Sequence, residues 1–326
     1  MSTNSIVLPR PGTASSHVAP SSIQAPTEEA FVATFGSLLP QASYLHTPHG
    51  KAAYYELHPS SAPEEHTGPV SRVLFVHGVQ TPAIGLQPLA SALSLRFPAA
   101  HCVLVDLWGH GLTETPVAPH EPALFHDLLV TLMDHLGWHN AHLVGYSFGG
   151  STTATFAAAY PERVASMVLI APAGLLRSAN FTELERSYLR GGEGLEEQAR
   201  AWILEFLEGG KLVVPSDWKE RVSQGEVVAE AVRDWQMKVH EGHLASVVGI
   251  FRDGGVLDKH AGFAEAAKKG IECLCILGEL DDLCTAQDLY GIGMHNVATV
   301  PQVGHGVVRQ KVPEVARLIE DFWKKL

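Results

Sequence analysis

Six short apolar runs rich in β-branched residues are spread along this chain, most of them separated by a helical pattern. That alternation limits the folds open to it. The runs are SRVLFVHG (71–78), HCVLVDL (101–107), AHLVGY (141–146), ASMVLIAP (165–172), IECLCILGE (271–279) and HNVATVPQ (295–302). Between or after them lie LQPLASALSLRF, HEPALFHDLLVTLMDHLGW, STTATFAAAYPERV, AGFAEAAKK and the closing VPEVARLIEDFWKKL. A strand that is apolar throughout is covered on both faces, and strands alternating with helices build a mostly parallel sheet. Such sheets collect ligand chemistry at the carboxyl ends of their strands. Ahead of the first run, ASYLHTPHGKAAYYEL reads as two strands joined by a turn at Pro48–Gly50.

The alternation breaks between about Leu176 and Gly254, where FTELERSYLR, LEEQARAWILEFLE and EVVAEAVRDWQMKV are helical patterns split by Gly-Gly pairs. An all-helical insertion after a strand reads as a cap over the active edge. The expected division is therefore a core at 41–176, a helical cap at 177–254 and the rest of the core at 255–326. Residues 1–40 form a mostly disordered tail. Its first 27 residues are rich in Ser, Pro, Ala and Thr, and TEEAFVATFGSLL offers a short helix capped by Thr27.

Composition removes several function classes. The formal charge of −12 disfavours nucleic acid and anionic membranes as partners. No run of eighteen apolar residues is present, so no membrane span is expected. The N-terminus has no apolar signal core, and the four cysteines have no metal-ligand spacing, so a reduced, cytoplasmic location follows. Cys273 and Cys275, two apart on a strand, should face the same side as small hydrophobes. His240 and His243 make a pair with no third ligand, and we expect them on a solvated helix face. No metal and no cofactor is expected.

The chemistry centres on Gly145-Tyr146-Ser147-Phe148-Gly149, a G-x-S-x-G pattern with a strand before it and a helix-compatible run after it. Glycines two before and two after the serine permit a sharp strand-to-helix corner, and the corner lifts the hydroxyl above the sheet edge. A serine nucleophile needs a base, and the base needs an acid. Of eighteen histidines, His305 alone follows the last strand run and precedes the terminal helix, which places it at the sheet's carboxyl edge. LGELDDLC, after the run IECLCIL, offers Asp281 as the acid, with Asp282 the alternative. Oxyanion donors are expected from the backbone N–H of Val79, after the strand ending FVHG, and of Phe148. His77 reads as a structural residue of that turn.

Together FVHGV, VLVDLWGHGLTETP, GYSFGG, LGELDDLC and VGHG resemble the α/β-hydrolase superfamily over residues 45 to 326. The resemblance implies a mostly parallel eight-stranded sheet with helices on both faces, a nucleophile elbow, an inserted lid, and the same roles for Ser147, His305, Asp281, Val79 and Phe148. Thr113 stands where the family usually has serine. HG-x-x-TP and LIAP-x-GL-x-R are also similar to segments of uncharacterised fungal members. Ser147 at the elbow sets the chain apart from epoxide hydrolases and haloalkane dehalogenases, which carry aspartate there.

The expected activity is hydrolysis of a small-to-medium apolar carboxylic ester or lactone. A carbon–carbon bond hydrolase and a non-catalytic binding protein on the same scaffold are the alternatives. Trp108 and Phe148 are expected at the substrate, and in the cap Trp202, Phe206 and Trp235, with Trp218, Met237 and Phe251 as further candidates. No oligomeric state is assigned.

Overall fold

The computed structural model describes residues 6–13, 21–60, 70–192 and 194–326. Ten strands lie along them: β1 (Ser22–Ile23), β2 (Ser43–Thr47), β3 (Gly50–Leu57), β4 (Arg72–Val76), β5 (His101–Val105), β6 (Thr115–Pro116), β7 (Ala141–Tyr146), β8 (Val164–Ile170), β9 (Cys273–Gly278) and β10 (Val297–Val300). Eight of them form one sheet in the order β10-β9-β8-β7-β4-β5-β3-β2, parallel except where β3 pairs with β2 and β5. These eight are the runs read from the sequence.

Continuous apolar strands follow from burial on both faces. Along β4, Leu74 and Val76 join one core cluster while Val73 and Phe75 join the other, and all four are wholly buried. Successive side chains point to opposite faces, so each such residue contributes about 1.5–3 kcal/mol of burial to a different layer. The first layer holds Phe125, Leu128, Phe156 and Phe263, from helices Pro122–His135, Phe148–Ala159 and His260–Lys268. The second holds Leu89, Leu93, Val315, Ile319 and Trp323, from helices Gln87–Arg96 and Val312–Trp323.

Five α-helices lie between Leu176 and Gly254, ahead of His260–Lys268 and β9: Glu183–Arg190, Glu196–Glu208, Trp218–Ser223, Ala229–Val239 and His243–Gly249. An isolated parallel bridge between Leu176 and Leu257 joins the two ends of this insertion. Three of the helices match sequence patterns; Trp218–Ser223 and His243–Gly249 are too short to show a period.

The N-terminal region departs from the expectation of a loose tail. Residues 1–5 and 14–20 of that segment lie outside the described residues. The rest is docked. Leu8 is buried, and Arg10 donates to Asp253 Oδ1 at 2.8 Å and to the carbonyls of Leu189 and Arg190 at 3.1 and 2.8 Å. Further on, β1 pairs antiparallel with β6, and Ser22 Oγ donates to Glu114 Oε2 at 2.6 Å. Helix Glu28–Phe35 follows, with Thr27 Oγ1 accepting from the N–H of Ala30. Its Phe31 and Phe35 are buried against Trp235 of the insertion, with ring centroids 5.6 and 5.7 Å apart.

Candidate active site

β7 ends at Tyr146, and the chain turns into helix Phe148–Ala159 through a single residue, Ser147. Ser147 has φ 54° and ψ −117°, a region that costs an ordinary residue on the order of 1–3 kcal/mol. The two flanking glycines make the corner feasible. A Cβ on Gly145 would stand 2.3 Å from the carbonyl oxygen of Gly149, and one on Gly149 would stand 2.0 Å from that of Val76. The strained serine is held in place by its backbone, whose N–H donates to the Ile170 carbonyl while its own carbonyl accepts from Ala173.

His305 and Asp281 arrive from loops after β10 and β9, at the same carboxyl edge. His305 Nε2 lies 2.9 Å from Ser147 Oγ, and His305 Nδ1 lies 2.9 Å from Asp281 Oδ2. The Asp281 side chain is fully buried, and its second oxygen accepts the N–H of Leu283. Asp282, one residue on, is exposed and outside this chain of contacts. A carboxylate only accepts, so the imidazole proton sits on Nδ1 and the Nε2 lone pair faces the serine hydroxyl. Tyr146 braces His305: its hydroxyl donates to the His305 carbonyl at 3.1 Å, with the rings 5.4 Å apart.

Val79 and Phe148 both face the cavity above Ser147, and neither N–H donates to a backbone acceptor among the described residues. The loop carrying Val79 is held from three sides. Asp106, wholly buried, accepts from the N–H groups of Ala83 and Leu112 and from the Tyr55 hydroxyl, and burial pushes its carboxyl up to about 6. Thr113 caps the same residue, donating to the Asp106 carbonyl. Gln80, at φ 70°, donates its N–H to His110 Nε2 at 3.1 Å and accepts at its carbonyl from Gln236 Nε2 at 2.6 Å.

Buried histidines surround this loop. His77 accepts from the N–H of Leu107 at Nε2 and donates from Nδ1 to the Gly78 carbonyl, a fully satisfied neutral ring. Burial lowers His77 to about 4, His243 to about 3, and His110 well below the ordinary range. His240 and His243 are therefore not on a solvated face. Both are buried where the insertion meets the core, against the carbonyls of Thr113 and Gly109. They are drawn inward because the short helix His243–Gly249 packs directly on the loop after β5.

The cavity above Ser147 has a volume of about 230 Å³. Phe148 and Phe206 line it together with Leu176, Leu207, Val256 and Leu283, and Gln80, Arg233 and Arg309 add polar groups. Trp108, Trp202 and Trp235 do not reach it. Trp108 is buried beneath, its Nε1 donating to the Leu124 carbonyl. Trp202 packs on Phe181, Phe206 and Phe251, and Trp235 on the N-terminal helix. Sequence reasoning did not find Gln236, Arg233 or Arg309; the position of Arg309, four residues beyond His305, was the available signal.

Among the described residues one group could hold a cation: Glu56, His58 and His101, whose ligand atoms lie within 4.8 Å of one another. It sits where β3 ends and β5 begins, at the amino edge of the parallel strands and away from Ser147. No helix is long and apolar enough to cross a membrane among these residues.

This arrangement of sheet, elbow and contact chain belongs to a known class. The family model described as alpha/beta hydrolase fold matches residues 71–239, and the chain belongs to that family. It is 35% identical over 241 residues, 71% of this chain and 83% of the relative, to a putative 2-succinyl-6-hydroxy-2,4-cyclohexadiene-1-carboxylate synthase of Bacillus subtilis. It is 32% identical over 154 residues to the 2-(acetamidomethylene)succinate hydrolase of Mesorhizobium japonicum. That match takes in 47% of this chain and about half, 53%, of the relative's length. Among solved structures, the enol-lactonase from Burkholderia xenovorans superposes with a TM-score of 0.62 at 18% identity, over 86% of this chain and 99% of that one.

Proposed function

We propose that the chain is a serine hydrolase that cleaves a small-to-medium carboxylic ester or lactone. The observation that carries this reading is the unbroken contact chain from Ser147 Oγ through both nitrogens of His305 to Asp281, at 2.9 Å in each step. Ser147 Oγ attacks the carbonyl carbon while its proton passes to His305 Nε2, and Asp281 steadies the imidazolium that results. The tetrahedral oxyanion accepts from the N–H groups of Val79 and Phe148, each such donor being worth about 10²–10³ in rate. His305 returns the proton to the leaving oxygen, which departs as an alcohol and leaves Ser147 acylated. Water then attacks the acyl group as His305 takes its proton, releasing the acid and restoring the serine hydroxyl.

The inserted helices act as the cap. Phe206 and Leu207 come from helix Glu196–Glu208, and with Leu283 they give the apolar part of the substrate a surface to pack on. A fluorophosphonate probe tests the nucleophile directly: mass spectrometry should find one adduct on Ser147, absent in Ser147→Ala. A folded wild type that takes up no adduct sinks the reading. Carbon–carbon bond hydrolysis uses the same triad, so a vinylogous β-diketone is assayed beside a panel of alkyl esters. Turnover of the diketone alone would replace the ester assignment.

A further inference from the structure

The chain is acidic overall, with a net charge of −12, yet the charged groups that line the cavity above Ser147 are two arginines, Arg233 and Arg309, with no carboxylate among the lining residues. The two arginines differ in what answers their charge. Arg233 is committed to protein, its two terminal nitrogens lying 3.1 Å from Glu208 and 3.3 Å from Glu230. Among the described residues Arg309 forms no ion pair within 4.0 Å and its guanidinium donates no hydrogen bond, while Cζ lies over an aromatic ring. The ring is that of Tyr146, its centroid 5.3 Å from Cζ, and at longer range the charge of Arg309, with that of Arg233, opposes the rise that burial gives the Glu208 carboxyl. The face of a ring steadies a cation but accepts none of its N–H groups, so all five donors of the fork stay available.

We propose that Arg309 is a carboxylate-binding residue of this cavity, and that the substrate is an ester or lactone bearing a second, ionised carboxyl group. The inference rests on the ester-hydrolase reading above and names the substrate class of that site. The placement suits the task. Arg309 lies on the short turn Val307–Gln310 that follows His305 directly. Arg309 and His305 also share a neighbour, the ring of Tyr146, which lies 5.3 Å from the guanidinium carbon and 5.4 Å from the imidazole. The guanidinium is thus braced beside the base. A planar fork matches a carboxylate with two parallel N–H···O bonds. A neutral substrate would cover the guanidinium without satisfying it. The apolar wall of Phe206, Leu207 and Leu283 then takes the part of the molecule that carries no charge.

The experiment compares monoethyl adipate with ethyl hexanoate, which replaces the carboxylate by a methyl group, in wild type, Arg309→Gln and Arg309→Lys. Wild type is expected to favour the anionic ester at least tenfold in kcat/KM, mainly through KM. Arg309→Gln should erase that preference and Arg309→Lys should keep part of it. If wild type favours the neutral ester, or Arg309→Gln lowers both esters equally, the carboxylate site is overturned and the ester reading stands. If neither ester is hydrolysed, the ester reading fails by itself. Calorimetric titration of Ser147→Ala with monoethyl adipate then decides the site alone. Binding that is lost in the Ser147→Ala, Arg309→Gln double variant supports it; no binding, or binding the double variant retains, overturns it.

Discussion

Gln236 is the most informative residue to change outside the proposed triad. It is wholly buried on helix Ala229–Val239 of the insertion, and both ends of its amide are used. Nε2 donates to the Gln80 carbonyl at 2.6 Å, and Oε1 accepts the N–H of Gly111 at 2.7 Å. Gln236→Met keeps the volume and removes both bonds. Two buried backbone groups then lose their partners at about 1–3 kcal/mol each, so the expected destabilisation is roughly 2–6 kcal/mol. In a chain of this size that lowers the midpoint of thermal unfolding by about 3–9 °C. The kinetic effect has a separate origin. Gln80 sits at φ 70° and adjoins Val79, so releasing its carbonyl lets the strained loop relax and misplaces the N–H of Val79, the proposed oxyanion donor. Loss of one oxyanion donor costs about 10²–10³ in kcat with little change in KM. Calorimetry and steady-state turnover of an alkyl ester measure the two effects independently. A midpoint within about 1 °C of wild type together with an unchanged kcat would refute the argument that the insertion holds the oxyanion loop.

Two further outcomes are expected. Asp281→Asn should lower ester turnover by about 10⁴, the cost of leaving the histidine in the wrong tautomer, whereas the exposed Asp282→Asn should match wild type; the reverse order would move the acid by one residue. Stability should be greatest above about pH 6.5 and fall as acid is added, because the unfolded chain protonates its histidines near 6.5 while His77 and His243 resist until about 4 and 3. Asp106 works in the opposite sense, since its stabilising contribution is present below the ordinary carboxylate range and is lost as pH rises through about 6, but it is one group against several. Urea midpoints that stay flat from pH 8 to pH 5 would show that the histidines are not held neutral.

What the sequence reveals here depends on how local the cause is. The eight sheet strands are legible because burial on both faces leaves an unbroken apolar run, as in Val73 to Val76. β1 and β6 are not, being two residues each, one of them containing proline. The elbow is legible because its backbone geometry demands glycine at 145 and 149, a demand met within five residues. The contact between His305 and Asp281 could be anticipated from strand ends alone. Trp108 is expected at the substrate from its loop at the active edge, and Trp202 and Trp235 from their place in the cap, but where a large ring points depends on how the insertion docks. Each is spent on packing. Gln236 gains its role from a segment far away in sequence, Gln80, and no spacing rule reaches it; for Arg309 the spacing of four from His305 gives a place near the site, but not its contact with Tyr146.

The docked N-terminal segment has a consequence best put in terms of polymer tethering. Arg10 grips the insertion at Asp253, while Ser22–Ile23 grips the core strand Thr115–Pro116, and a short stretch of chain links the two grips. When thermal motion opens one grip, the other keeps the released end nearby, at an effective concentration that short linkers set in the millimolar range. The ion pair of Arg10 therefore reforms as an intramolecular event, however weak it is alone. Cutting the peptide anywhere between the grips would turn that closure into an ordinary bimolecular encounter. The insertion would then lose a restraint without the loss of a single residue.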